Sequence, residues 1–283
     1  MPLSKSVLVT GSTGFVGQAT ASALEDAGWH VVRSSRLKPS DNQSNIIHLD
    51  LADPSTVIVL AKGTRYDAIV HIAAHVGWSD TDESAMYVTN VLSTGYLAHL
   101  AYTWNAHIVY ASTAIVHGVA TEVIDPETPI FLDNSYAKSK WLSEELLKDS
   151  NARNCILRMS GVFGHKGPTH LGLNRAIEMA IKGISPKQIG KGSALRNYIY
   201  VKDVASAIAY ALEHGLNGTH LLAGHEELSV SEMLKKICEV LAPSISPIMQ
   251  NGTEAKNQLI KPSLDLPKTR SFVESLIDIR ESI

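Results

Sequence analysis

"VLVTGSTGFVGQAT", residues 7–20, is the stretch on which the fold turns. Its first four residues, Val7 to Thr10, are apolar and mostly β-branched, the composition of a strand buried on both faces of a parallel sheet. Gly11, Gly14 and Gly17 come next, and then a helix-like stretch from Gln18 to Ala27 that stops at Gly28. Strand, glycine-rich turn and helix together make a phosphate site. Missing Cβ atoms let backbone N–H groups approach a pyrophosphate at the positive end of the helix dipole. The spacing is GxxGxxG rather than GxGxxG, and glycines also serve close helix–strand approach, so the triplet alone leaves both readings open.

The rest of the first 160 residues repeats the alternation. Strand-like runs occur at His30–Ser34, Ile46–Asp50, Asp67–Ala73, His107–Ser112 and Cys155–Met159, with helical stretches near 14–27, 54–62, 84–105 and 135–149. Parallel strands need crossovers, so this pattern predicts a parallel sheet with helices on both faces and ligands beyond the carboxyl ends of its strands. From Gly161 the pattern loosens into a smaller lobe interleaved with the main domain. A helix is expected near 171–182, a strand and helix over "LRNYIYVKDVASAIAYALEHG", and an amphipathic helix at Val230–Leu241; the remainder reads as loop-rich.

Bulk properties narrow the class. The chain has 283 residues, 45% hydrophobic and 19% charged, with net charge −3, which suits one large domain or a domain plus a lobe. No apolar run approaches the roughly 18 residues of a membrane span, and no leader is visible, so a cytoplasmic protein without membrane association is expected. Cys155 and Cys238 lie in apolar surroundings and read as buried free thiols. The slightly acidic balance argues against nucleic-acid binding, while one basic pocket for a small phosphorylated ligand stays open.

Tyr136 and Lys140, in "SYAKSKW", lie four apart on an expected helix and share a face. A free tyrosine has a pKa of about 10, and a neighbouring ammonium favours its phenolate, so the pair can act as general acid and base. An ordinary surface Tyr and Lys is the alternative, and Lys138 points elsewhere. Ser112 and Thr113 end the strand "HIVYAS" and its extension. A hydroxyl there can meet a substrate carbonyl or alcohol, or merely cap local backbone.

Taken together these features resemble the extended short-chain dehydrogenase/reductases, specifically the NAD(P)-dependent epimerase/dehydratase family. The matching pieces are "TGSTGFVG", "LDL" at 49–51, "HIAA" at 71–74, "TNVLST" at 89–94, "YASTAIVHG" at 110–118, "YAKSK" at 136–140, "LRMSGVFG" at 157–164 and "RNYIYVKDV" at 196–204. The resemblance implies an α/β, Rossmann-type doubly wound parallel sheet with a smaller C-terminal substrate-binding lobe. Residues 1–160 would be the NAD(P)-binding domain, with an interleaved return near 197–222; residues 161–196 and 223–283 would be the lobe.

The resemblance also implies roles. Gly11, Thr13, Gly14, Phe15, Val16 and Gly17 would hold the cofactor pyrophosphate. Asp50 and Leu51 would flank the adenine, and Ala73 and Ala74 would let the nicotinamide half pass. Tyr136 would be the acid/base, with Lys140 lowering its pKa and holding the nicotinamide ribose. Thr113 would fill the catalytic hydroxyl position with Ser112 beside it, Asn90 would stabilise the site, and Arg196 would hold a nucleotide-sugar diphosphate through bidentate bonds. Helices near 84–105 and 135–149 form a four-helix seam in related proteins, which implies a homodimer.

Departures from the family pattern sharpen the reading. An acidic residue at the end of the second strand holds the ribose 2′-OH in NAD-preferring members. Here Ser35 and Arg36 stand there, so NADP(H) is favoured over NAD(H), with Ser35, Arg36 and Arg33 as 2′-phosphate ligands. Ala114-Ile115 replaces the Asp-Glu of 4,6-dehydratases, which argues against dehydration. His117 reads as a packing substitution. His71 and His75 have ligand-like spacing but no completing carboxylate or cysteine, so no metal is expected, and His165 and His170 flank a loop without chemistry. The leading expectation is reduction of a keto group on a nucleotide-activated sugar. The alternatives are a nucleotide-sugar epimerase that retains NAD and a non-catalytic NAD(P)-binding module. Substrate choice would fall to loops near 75–85, 117–134 and 161–196.

Overall fold

Val7, Leu8 and Val9 have no exposed surface in the computed structural model of the chain, as a strand covered on both faces requires. The structure describes residues 5–39, 45–77 and 83–283. The expected substrate loop near 75–85 therefore falls partly on residues 78–82, outside the described residues.

Strands β1 (Ser6–Thr10), β2 (His30–Ser35), β3 (Ile46–His48), β4 (Ala68–His71) and β5 (His107–Thr113) alternate with α1 (Phe15–Asp26), α2 (Pro54–Lys62), α3 (Glu83–Met86) and α4 (Ser93–Trp104). A π turn, Tyr87–Leu92, joins α3 to α4, and a 3₁₀ turn, Ala114–His117, follows β5. Next come β6 (Val123–Ile124), α5 (Ser135–Asp149), β7 (Asn154–Met159), β8 (Val162–Phe163), α6 (Gly172–Ile181), β9 (Lys187–Ile189), β10 (Leu195–Arg196) and β11 (Ile199–Tyr200). The chain continues through α7 (Val201–His214), β12 (Gly218–Leu222), β13 (Leu228–Ser229), α8 (Val230–Leu241), β14 (Ile248–Gln250), β15 (Leu259–Ile260) and α9 (Phe272–Glu281).

Seven strands form one sheet in the order β12-β7-β5-β4-β1-β2-β3. β1 runs parallel to both β2 and β4, with Val9 in register with Arg33 on one side and Val70 on the other. The strand order reverses at β1, so the crevice beyond the ends of β1 and β4 is the topological switch point where such sheets bind ligands. Gly11 and Ile72 begin the two segments that leave it.

Two compact units divide the chain. The first comprises Met1–Gly118, Ile130–Arg158 and Ala205–His220. Leu8, Ile69, Leu97, Ile108, Tyr110 and Ile156 lie in its core. The second comprises Val119–Pro129, Met159–Val204 and Leu221–Ile283. It is built on short pairings: β8 with β11, β9 with β14 and β6 with β15 in parallel, and β10 with β13 antiparallel. Buried Asn197 ties three of its segments, donating to Gly224 O and Ile260 O and accepting from Ile260 N. Cys155 and Cys238 are buried free thiols.

Two elements depart from expectation. The helix near 84–105 is broken by the π turn, in which Ser93 N–H reaches back to Val88 O. The loop-rich tail contains α9, which buries Phe272, Ser275, Leu276 and Ile279. Its start is a capping box, with Ser271 and Glu274 each satisfying the other's backbone N–H. That Ser-x-x-Glu pattern was readable in the sequence.

Candidate active site

The glycine turn is built by close approach. A Cβ on Gly17 would lie 2.0 Å from Gly11 O, and one on Gly11 (φ +68°) would lie 2.7 Å from Ala73 N. Those two glycines therefore let main chain pack on main chain. Gly14 differs: a Cβ there would meet only Gly11 O, at 3.3 Å. Gly14 is also the N-cap of α1; no side chain among the described residues caps that end, and no acidic residue occupies its first turn. The first N–H groups of α1, beside Gly14, Phe15, Val16 and the exposed Thr13, are thus left without a side-chain partner among the described residues. Thr13 O accepts from Gln18 Nε2.

At the end of β2, Ser35 Oγ accepts from Leu37 N–H and Arg36 is exposed. Arg33 is not available there. Its guanidinium makes a bidentate pair with Glu25 of α1, at 2.6 and 2.9 Å, so the expectation that it binds a phosphate is withdrawn. The pairing across α1 and β2 takes the Nη1–Nη2 edge of the fork. Asp50 caps its own turn through Ala52 N–H, and Leu51 is buried beside it.

At the end of β4, Ala73 and Ala74 are half-buried. His71 is fully buried, with both ring nitrogens bonded, Nδ1 to Thr10 Oγ1 at 2.8 Å and Nε2 to Thr94 Oγ1 at 3.0 Å. Burial first, and the Lys140 charge second, push its pKa down to about 3. Asn90 on the π turn is 1% exposed and its carboxamide is fully used: it accepts from His75 N–H and donates to His75 O and Ser139 Oγ. It thus acts as a clamp on the backbone after β4.

β5 and α5 pack together. Thr113 Oγ1 accepts from Ile115 N–H, which leaves the hydroxyl hydrogen without an acceptor among the described residues. Ser112, one residue earlier, points the other way. It is 2% exposed and its hydroxyl donates to Glu144, so its expected substrate contact gives way to an internal bond.

Asn134 caps α5 by accepting from Ala137 N–H, and the helix buries Ala137, Lys140, Glu144 and Leu147 on one face. Lys140 Nζ lies over the Tyr110 ring, 4.1 Å from its centroid. Burial pushes its pKa down to about 7 against the opposing attraction of Glu144. Tyr136, one turn earlier, has its phenol pushed up to about 12 by burial alone. The expected lowering by Lys140 is absent: the cost of desolvating a phenolate dominates, and a lysine with a pKa of about 7 is only half-charged at neutrality.

Behind this pair lies a network that was not foreseen. Arg158 of β7 donates to the Glu144 carboxylate through Nη2 and through an Nε–H shared between its two oxygens, and, through Nη1, to His117 Nε2 at 3.0 Å. His117, read as mere packing, is thus a buried acceptor, and Ser112, His117, Glu144 and Arg158 join β5, the 3₁₀ turn, α5 and β7. The i, i+4 spacing of Lys140 and Glu144 was the only signal of it in the sequence.

In the second unit, Arg196 lines a shallow cleft with Tyr198, Tyr200, Glu226 and Arg270. Its Nη1 donates to Leu195 O and Lys256 O, which anchors one end of the fork. Arg270 is paired with Asp203. Among the described residues no group of three or more His, Cys, Asp or Glu could hold a metal ion.

A doubly wound parallel sheet with an uncapped glycine turn at its switch point defines a Rossmann-type nucleotide-binding protein. More narrowly, the model of the NAD dependent epimerase/dehydratase family matches residues 7–224, and the chain belongs to that family. Solved structures share the fold over nearly the whole length. WbmH of Bordetella bronchiseptica, in complex with NAD+, is similar at 23% identity over 98% of this chain and 97% of that one, with a TM-score of 0.82. UDP-N-acetylglucosamine 4-epimerase of Bacillus cereus is similar at 23% identity over 99% of each chain, with a TM-score of 0.84. ADP-L-glycero-D-manno-heptose-6-epimerase of Helicobacter pylori is similar at 20% identity over 99% and 96%, with a TM-score of 0.83.

Proposed function

We propose that the chain is a nicotinamide-dinucleotide-dependent oxidoreductase that reduces a keto group on a nucleotide-activated sugar, with NADP(H) favoured over NAD(H). The observation that carries this reading is α5, whose Tyr136 and buried Lys140 lie one turn apart on the helix that packs on β5, the strand that ends in Thr113. A phenol held near 12 keeps its proton at neutral pH, the state in which it can deliver that proton to a carbonyl oxygen. The unaccepted hydroxyl hydrogen of Thr113 would polarise the same oxygen, and Lys140 would hold the nicotinamide ribose.

The residues of the first unit fit a dinucleotide. The uncapped first turn of α1 offers N–H groups to a pyrophosphate, and the open side of Gly14 leaves space for it. Gly11, Thr13, Phe15, Val16 and Gly17 would complete that seat, with Asp50 and Leu51 at the adenine and Ala73 and Ala74 at the nicotinamide. When bound, the nicotinamide supplies the hydride. Ser35 and the exposed Arg36 favour a 2′-phosphate, and no carboxylate stands in "RSSRL", residues 33–37. Arg196, held at one end by two carbonyls, would present the rest of its fork to a substrate diphosphate. The second unit would serve as the substrate lobe. Exposed Leu92, Tyr96, Tyr102 and Leu146 support a homodimer seamed by α4 and α5.

A nucleotide-sugar epimerase with retained NAD is the second reading, favoured by the epimerases among the similar structures. Denaturing freshly purified protein and identifying the released nucleotide separates the two. Stoichiometric NAD(H) favours the epimerase. NADP(H), or an empty site that binds NADPH and consumes it with a nucleotide-activated keto sugar, favours the reductase. Tyr136→Phe should abolish turnover on any substrate found; near-full activity in that variant would overturn both.

A further inference from the structure

The hydrogen atoms around His71 can be assigned from the hydrogen bonds alone. Thr94 Oγ1 lies 2.5 Å from Asn90 O. Two oxygens that close need a hydrogen between them, and the carbonyl has none, so the single hydroxyl hydrogen of Thr94 is spent there. His71 Nε2 must then donate to Thr94 Oγ1. On the other side, Thr10 Oγ1 already accepts from Ile72 N–H at 3.2 Å and from Ala73 N–H at 3.3 Å. Its two lone pairs are taken, so its hydroxyl hydrogen goes to His71 Nδ1. A hydrogen on Nδ1 would give Thr10 three donors for two lone pairs and leave its own hydrogen without an acceptor. The imidazole is therefore neutral and carries its hydrogen on Nε2.

This chain of bonds has a mechanical meaning. It begins at the Asn90 carbonyl, which also takes the Ser143 hydroxyl of α5, and it ends on the N–H groups of Ile72 and Ala73 and on the residue before Gly11. Gly11 and Ala73 touch so closely that a Cβ on Gly11 would lie 2.7 and 2.8 Å from Ala73 N and Cα. We propose that His71 is a positioning residue for the cofactor seat, a neutral imidazole that sets the Gly11 and Ile72–Ala73 segments against each other and ties both to the π turn at Asn90. The proposal rests on the nicotinamide-dinucleotide reading above.

The groups facing His71 are Thr10 of β1, Tyr110 of β5, Thr94 of α4 and Lys140 of α5. Below about pH 7 the protonated Lys140 places a cation beside the ring, so there a second charge on His71 is opposed both by the bonds and by repulsion.

The test uses the intact protein labelled with ¹⁵N-histidine, with NADH and NADPH as binding probes. The His71 ring is expected to show the Nε2–H neutral form from pH 5 to pH 8. Thr94→Val removes the acceptor for Nε2–H without touching the seat. It should weaken the tighter-binding nucleotide about tenfold, the cost of a lost buried bond relayed to Ala73, and Thr94→Ser should restore affinity to within about twofold. An imidazolium or an Nδ1–H form in the wild type overturns the proposal irrespective of the variants. So does a folded Thr94→Val that loses stability yet binds as the wild type does. If the wild type binds neither nucleotide, the nicotinamide reading fails, and the positioning role fails with it.

Discussion

Gly14 and Gly17 sit three residues apart in one turn, and the structure assigns them opposite duties that two alanine variants will separate. At Gly17 an alanine Cβ would come 2.0 Å from Gly11 O, 2.7 Å from Gly11 C and 2.8 Å from Ser12 Cα. All three atoms are backbone, so contact can be relieved only by moving α1 off the turn by about 1 Å. Overpacking costs about 1–3 kcal/mol, and rigid neighbours place this case at the top of that range. Alanine returns about 1 kcal/mol of helix propensity, so the net loss should be about 2 kcal/mol.

At Gly14 an alanine would meet only Gly11 O, at 3.3 Å, with φ at −80°. A few tenths of a kcal/mol lost at the N-cap oppose a comparable gain from a stiffer unfolded chain, so stability should stay within about 0.5 kcal/mol of wild type. The methyl would, however, project in front of the uncapped N–H groups. Affinity for the nicotinamide dinucleotide should fall at least about tenfold. Urea denaturation followed by tryptophan fluorescence reads the first effect, and NADH or NADPH titration reads the second. A Gly17→Ala protein as stable as wild type would show that α1 is not held by that approach. A Gly14→Ala protein with undiminished affinity would place the pyrophosphate elsewhere.

Two further outcomes follow from the buried charges. Glu144→Gln should cost about 3–5 kcal/mol, because Arg158 is left buried without its counter-charge, and Glu144→Met with Arg158→Met should recover most of that loss in urea denaturation. Lys140 has a folded-state pKa of about 7, against an unfolded value of about 10.4. Between those values the unfolded state binds the extra proton, so stability should rise with pH, by up to about 1.4 kcal/mol per unit between pH 7.5 and 9.5. Lys140→Met should flatten that slope; an unchanged slope would mean that Lys140 is charged in the folded protein.

Much of the molecule is legible in its sequence. β-branched runs separated by helical stretches announced the sheet, and the helical stretch expected near 135–149 is α5, whose cap Asn134 the structure supplies. The glycine triplet marked the switch point, and Tyr136 and Lys140 lay one turn apart by spacing alone. These are local statements: a missing Cβ, a capping side chain or a 3.6-residue period acts on atoms a few bonds away. Ser112 shows where such reasoning stops. β5 is buried on both faces, so no polar–apolar alternation told which hydroxyl of Ser112 and Thr113 turns inward.

Arg33 stood at the right strand end for a phosphate, but α1 brings Glu25 against it, and the opposite charge in reach takes the fork. His117, Glu144 and Arg158 lie far apart in the chain, and only the packing of α5 on β5 and β7 closes them into one network. Burial likewise set the Tyr136 and Lys140 pKa values, since the cost of stripping water from a charge depends on everything packed around it. Local stereochemistry is written in neighbouring residues; the pairing and ionisation of polar groups are settled only when distant segments meet and exclude water.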